Sequence, residues 1–229
     1  MTSKLIVALD FPNAELALSF VKSLNPELCK LKVGFELFVS AGPDFVKQLV
    51  DKGYDVFLDL KFHDIPNTVA SACRSASDLG VWMMNVHASG SDVMMRSAKQ
   101  ALIDCNSPAK LIGVTVLTSM DEQQLKRINV NCKPESQVKH LAQLTQKSGL
   151  DGVVCSAQEA VMLREALGED FLLVTPGIRP EGSDIGDQSR VMTPALAHKA
   201  GVSYIVVGRP ITQSNAPLSV IEQINKDMS

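Results

Sequence analysis

The stretch Val56-Phe57-Leu58-Asp59-Leu60-Lys61-Phe62-His63-Asp64 begins as an unbroken apolar run and ends in a cluster of charges. A run of this length reads as a strand over Val56–Leu60 buried on both faces, the type found in parallel sheets. Asp59 and Lys61 stand two residues apart and so share one face of that strand. Working outward, similar short runs recur at Leu5–Leu9, Cys29–Val33, Met83–Val86, Leu111–Val116, Gly152–Cys155, Phe171–Thr175 and Tyr204–Val207. Between them lie amphipathic stretches at 14–24, 43–52, 67–79, 91–104, 135–148, 157–167, 193–200 and 216–226. Several show apolar spacings of three and four, such as Leu16, Phe20, Val21 and Leu24. Eight strands alternating with eight helices predict an α/β fold, a closed (β/α)8 TIM barrel forming a single catalytic domain over residues 1–229. An open doubly wound sheet is the alternative arrangement of the same elements.

Composition narrows the class. The chain has 229 residues, 45% of them hydrophobic, enough for one large core. Its net charge is −3, and it carries no long basic run, so nucleic acid is not an expected partner. The first apolar run, Leu5–Leu9, is ended by Asp10 and is too short for a signal segment or a bilayer span. A cytoplasmic location without membrane association is the expectation. Five scattered cysteines, odd in number and never spaced C-x-x-C, read as reduced thiols and not as a disulfide or zinc framework.

Active sites of such barrels lie at the C-terminal ends of the strands. The residues there are Asp10, Lys32, Asp59 with Lys61, His87, Thr118 with Ser119, Ser156, Pro176 with Gly177, and Gly208 with Arg209. The face shared by Asp59 and Lys61 can only be the barrel interior. Burial penalises the ammonium form and a neighbouring carboxylate favours it. At about 4 Å and an effective dielectric near 20, one such pair is worth roughly 4 kcal/mol, enough to keep the amine charged. Lys32 ends the adjacent strand and can reach Asp59 from the other side, which makes an alternating array of cations and anions. A purely structural ion pair is the bland alternative, but buried pairs add little stability on average. Asp64 lies beyond the strand, just before Pro66, in a position suited to the first turn of the next helix.

The other end of the site has a different character. Loops after strands seven and eight of these barrels often hold a phosphate. Residues 176–188, from Pro176 to Gln188, form a long, glycine-rich polar loop of the kind that serves as a lid. Arg209, in Gly208-Arg209-Pro210, is a natural bidentate phosphate partner, and Gln188 can add a neutral donor. A plain surface turn is the alternative reading of Gly208-Arg209-Pro210.

Taken together, these residues resemble the orotidine 5′-phosphate decarboxylase family of the bacterial type. The most specific piece is Asp59-Leu60-Lys61-Phe62-His63-Asp64-Ile65-Pro66-Asn67-Thr68. Leu31-Lys32-Val33-Gly34, Val86-His87-Ala88-Ser89-Gly90, Val114-Thr115-Val116-Leu117-Thr118-Ser119 and Thr175-Pro176-Gly177-Ile178-Arg179 support it. The resemblance runs from Ala8-Leu9-Asp10 to Gly208-Arg209-Pro210. It implies conversion of orotidine 5′-monophosphate (OMP) to uridine 5′-monophosphate (UMP) and CO2, the last step of de novo UMP synthesis. It implies Lys61 as proton donor to C6, Asp59 facing the departing carboxylate, and Lys32 and Asp10 on the ribose side. Thr118 and Ser119 would cover the base, with Ser119 reading its edge. Pro176, Arg179, Gln188, Gly208 and Arg209 would line the phosphate side. Asp64 and Thr68, with Ile65 between them, would serve the neighbouring subunit's site in a homodimer.

That chemistry suits the residues. Loss of CO2 leaves an electron pair at C6 that the ring cannot delocalise, and other decarboxylases supply a sink through a cofactor. No thiamine or dinucleotide signature is present, so no cofactor and no metal is expected, and electrostatics must carry the reaction. Two rivals remain. A metal-dependent sugar-phosphate enzyme would use Asp59, His63 and His87 as ligands, but Lys32 beside them opposes a cation. A non-enzymatic nucleotide binder would have no use for Asp59 against an anionic ligand.

Overall fold

Largely apolar, largely buried runs form eight strands: β1 (Leu5–Ala8), β2 (Lys30–Val33), β3 (Val56–Phe62), β4 (Met83–His87), β5 (Lys110–Val114), β6 (Gly152–Val154), β7 (Leu172–Thr175) and β8 (Tyr204–Val207). The structure, a computed structural model, describes residues 3–180 and 192–229. Each strand pairs in parallel with the next in chain order. The ring closes where Leu5, Ile6 and Val7 pair with Ile205, Val206 and Val207. Closure decides between the two arrangements: the sheet is a barrel and has no edge.

The helices follow the strands: α1 (Ala14–Val21), α2 (Phe35–Asp51), α3 (Pro66–Ser77), α4 (Ser91–Asp104), α5 (Glu122–Arg127), α6 (Pro134–Lys147), α7 (Ala160–Leu167), α8 (Pro194–Lys199), α9 (Arg209–Thr212) and α10 (Pro217–Asp227). Their starts have local causes. Asn13 caps α1 by accepting from the Leu16 N–H. Proline opens α3 and α6, where a missing N–H costs nothing.

Alternation along the strands makes two cores. Ile6, Ala8, Phe57, Met83, Ile112, Val174 and Val206 fill the barrel interior. A larger shell, including Leu5, Val7, Leu31, Leu58, Met84 and Ile205, joins the sheet to its helices. Each Val, Leu, Ile, Met or Phe side chain among them, fully buried, contributes about 1.5–3 kcal/mol relative to exposure.

The structure departs from the expected pattern in several details. The helix expected at 43–52 begins at Phe35. Gly42 (φ 74) kinks it, and Pro43, which reads as a start, sits at the bend. Helix α5 was not expected, although Asp121 and Gln124 form a reciprocal capping box, with both bonds at 2.8 Å. Strand β5 stops at Val114, and the hydroxyl of the next residue, Thr115, donates to the Val154 carbonyl. Strand β3 continues to Phe62 but is irregular: Lys61 has φ 45, and the register with β4 shifts between Leu58 and Phe62.

Candidate active site

The C-terminal ends of the strands surround a cavity of about 630 Å³. Its floor is apolar: Ala8, Phe57, Val174 and Val206 from the interior core, Val154 packed against that core, and Val114 at the end of β5. Its walls are polar. Asp10, Lys32, Asp59 and Lys61 stand on the β1–β3 side, and Thr118 and Ser119 on the loop after β5. Pro176, Gly177 and Arg179 follow β7, and Gly208 and Arg209 follow β8.

The charged side is tightly organised. Lys61 Nζ lies 2.7 Å from Asp59 Oδ1, and Lys32 Nζ lies 3.4 Å from Asp59 Oδ2 and 3.3 Å from Asp10 Oδ1. The Lys32, Asp59 and Lys61 side chains are 12%, 14% and 23% exposed, whereas Asp10 is 65% exposed at the open mouth. Asp59 and Lys61 do converge, but not through the regular pleat. The positive φ at Lys61 breaks the alternation and turns its amine back towards the carboxylate. The ammonium also lies 5.1 Å from the centre of the Phe35 ring, at the start of α2. A smaller cavity of about 180 Å³ opens between these groups and Gly34, Phe35 and Glu36.

The second polar side is built differently. Gly177 has φ 77, a left-handed turn that leads β7 into a short bridge between Ile178 and Met192. Arg179 is buried there, donating to the Ile178 carbonyl, and its N–H donates to the Met192 carbonyl. Arg209 is exposed and opens the four-residue helix α9 directly after Gly208. A Cβ on Gly208 would meet Asp10 Oδ2 at 3.5 Å, so the first and last strands bring Asp10 and Gly208 into contact. Gln188 lies outside the described residues.

Asp64, Ile65 and Thr68 are exposed and do not line the cavity. Asp64 precedes α3, and its carboxylate accepts from the Ile65 N–H at 2.7 Å. Ser156, at the end of β6, does local work: it caps the following turn, its own N–H donating to Glu159. His87 is half-buried, with its ring 5.5 Å from that of His63. Burial lowers its pKa below the ordinary histidine value, His63 and Lys61 lower it further, and Asp59 acts against them. Among the described residues, no three His, Cys, Asp or Glu side chains converge as a metal site.

Sequence reasoning passed over Asn85. It is fully buried on β4, donates to Asp59 Oδ1 and accepts from the Lys61 N–H, both at 2.7 Å. The signal was a lone amide inside the apolar run Met83-Met84-Asn85-Val86. Gln213, just past α9, also lines the cavity and was not anticipated.

Comparison with known proteins adds relatives. The sequence profile of the orotidine 5′-phosphate decarboxylase / HUMPS family matches residues 3–224. A protein of Pseudoalteromonas translucida named orotidine 5′-phosphate decarboxylase is 58% identical over 228 residues, 99% of this chain and 97% of that one. One of the same name from Haemophilus influenzae is 59% identical over 226 residues, 98% of each chain. Among solved structures, the orotidine 5′-phosphate decarboxylase of Lactobacillus acidophilus superposes with a TM-score of 0.86 at 42% identity, covering 98% of each chain. No helix among the described residues is long and apolar enough to cross a membrane.

Proposed function

We propose that this chain, which belongs to the orotidine 5′-phosphate decarboxylase / HUMPS family, converts OMP to UMP and CO2 in pyrimidine synthesis, as one cytoplasmic catalytic domain that needs no cofactor. The observation that carries this reading is the Lys32–Asp59–Lys61 array. A carboxylate held by two ammonium groups faces one side of a cavity that has Arg179, Gly208 and Arg209 on another.

The reaction breaks the bond between C6 and its carboxylate carbon, and CO2 leaves with that bond's electrons remaining on C6. Asp59 stands where the anionic group must depart, and the Lys61 ammonium stands where negative charge develops. Nζ then gives its proton to C6, and the amine recovers one from water. Lys32 and Asp10 serve the ribose hydroxyls, Thr118 and Ser119 the base, and Pro176, Arg179, Gln188, Gly208 and Arg209 the phosphate side.

Magnitudes require more than the proton transfer. A general acid gives about 100- to 10,000-fold. A very slow uncatalysed reaction needs the upper part of a range of about 8–23 kcal/mol. The remainder comes from charges already in place and from phosphate binding energy used to order the site.

The second part of the reading is a homodimer in which Asp64 and Thr68 complete the partner's site. Its support is their exposure beside Ile65, an apolar side chain 67% exposed. Mixing Lys61→Ala and Asp64→Ala proteins, each inactive alone, should restore activity through hybrid dimers with one intact site. No recovery after subunit exchange would remove the shared site. The central experiment is the absorbance assay of OMP decarboxylation. Lys61→Ala should lose at least about 100-fold in kcat, the low end for a general acid. Turnover equal to wild type would overturn the reading.

A further inference from the structure

Asn85 stands where the strand ladder fails. Leu58 pairs with Met84 and Phe62 with Val86, so three residues of β3, Asp59, Leu60 and Lys61, face Asn85 alone. The backbone of β4 cannot serve all three. The Asn85 side chain takes its place: its amide oxygen accepts from the Lys61 N–H, and its amide nitrogen donates to Asp59 Oδ1. The partners fix which way the amide points, because an N–H only donates and a carboxylate only accepts.

We infer that Asn85 is a positioning residue, which sets the aim of Asp59 and Lys61 towards each other and towards the cavity; the inference rests on the roles proposed for those two residues. Lys61 holds a positive φ, uncommon for a residue with a side chain, and the Asn85 amide oxygen pins its N–H in that shape. Asp59 Oδ1 accepts from both Lys61 Nζ and Asn85 Nδ2 at 2.7 Å, which leaves Oδ2 for Lys32. One neutral amide thus fixes the carboxylate's rotation and the lysine's backbone together, without changing the charge balance of the array. Asn85 has no exposed surface and does not line the cavity, so it acts only through its two partners. Released from it, the Lys61 backbone relaxes towards the ordinary strand shape and Nζ shifts, and a misplacement of about 1 Å costs on the order of 100-fold in rate.

The test compares Asn85→Leu, Asn85→Asp and Lys61→Ala with wild type, using OMP and expressing kcat per folded site. Asn85→Leu removes both bonds and should lose about 100-fold in kcat with KM changed less than about three-fold. Asn85→Asp keeps the acceptor for Lys61 but sets a second carboxylate against Asp59. The charged groups nearby are Lys61 and Lys32 on that same carboxylate, and the titratable rings of His87 and His63 lie beyond it. Two adjacent carboxylates share a proton, and the shared proton restores the missing donor. The ratio of Asn85→Asp to wild-type kcat should therefore climb as pH falls from about 8 to about 5. A merely structural role would alter the folded fraction and would not produce that pH-dependent recovery. Wild-type kcat per folded site in Asn85→Leu, or an unchanging ratio for Asn85→Asp, would overturn the inference. If Asn85→Leu does not fold, the Asn85→Asp profile decides alone. An active Lys61→Ala would overturn the site reading itself, whereas an inactive Lys61→Ala beside fully active Asn85 variants removes only the positioning role.

Discussion

Lys32 Nζ stands 3.4 Å from Asp59 Oδ2, on the carboxylate oxygen that Lys61 leaves unused. The same ammonium reaches Asp10, so it bridges the exposed mouth and the buried carboxylate. Lys32→Met keeps the stem and removes the charge. It removes a charged donor from Asp59, Asp10 and the ribose side, worth about 1.5–3 kcal/mol, and should lower kcat/KM for OMP by roughly 10- to 150-fold. Steady-state kinetics decide it; a loss under about three-fold would make Lys32 a bystander.

Arg209 should affect turnover as well as affinity. A hydrogen bond to a charged group is worth about 1.5–3 kcal/mol, which corresponds to roughly 10- to 150-fold in kcat/KM. If phosphate binding energy is used to order the site, part of that loss falls on kcat. Arg209→Ala should therefore reduce kcat measurably at saturating OMP. A rise in KM with kcat untouched would refute this division of labour.

His87 predicts a pH dependence of stability. Its pKa in the folded protein is lowered by burial first, then by His63 and Lys61. Between that lowered value and the ordinary one near 6.5, the unfolded chain binds more protons than the folded one. The contribution of His87 to stability is therefore fully present above about pH 6.5 and is lost as the solution is acidified below it. The thermal midpoint of wild type should drop further between about pH 7 and 5 than that of His87→Gln. Parallel profiles for the two proteins would contradict it.

The opposite end of the barrel supplies a control remote from the chemistry. Lys30 is buried at the start of β2, paired with Asp55, and lies 4.5 Å from the centre of the Trp82 ring, which packs edge-on against Tyr204. Asp55 is half-exposed, which weakens the ion pair, but the ring contact is shielded from water. Lys30→Ala should cost about 1–3 kcal/mol in urea unfolding. Its kcat should equal that of wild type; a fall in kcat with stability intact would contradict the assignment.

The strands were legible because a parallel barrel buries both faces of each one, and unbroken apolar runs such as Leu5–Ala8 announce that directly. Charges ending those runs stood out for the same reason: Asp59 and Lys61 break an apolar pattern. Backbone shape was not legible. The reading of two residues on one face assumed a regular pleat, whereas Lys61 reaches Asp59 through a positive φ. Asn85 escaped notice because its importance lies in what stands opposite it, a pairing that depends on register. Pro43 read as a helix start because proline suits a first turn, and the same residue is tolerated just after the kink at Gly42. Asp64, Ile65 and Thr68 do not line the cavity among the described residues, and the roles proposed for them rest on residues that a second copy would bring.

Closure of the ring also determines when the site first exists during synthesis. Asp10 and Lys32 emerge from the ribosome early, but Leu5 waits for Ile205 before its strand has a second neighbour, and Arg209 follows that strand. A nascent chain short of β8 is an open sheet with two bare edges and a cavity missing a wall. It cannot recognise its substrate, so no ligand can stabilise it, and its unpaired strand edges are free to pair with other chains. Ring closure thus removes the bare edges and completes the cavity wall in one step.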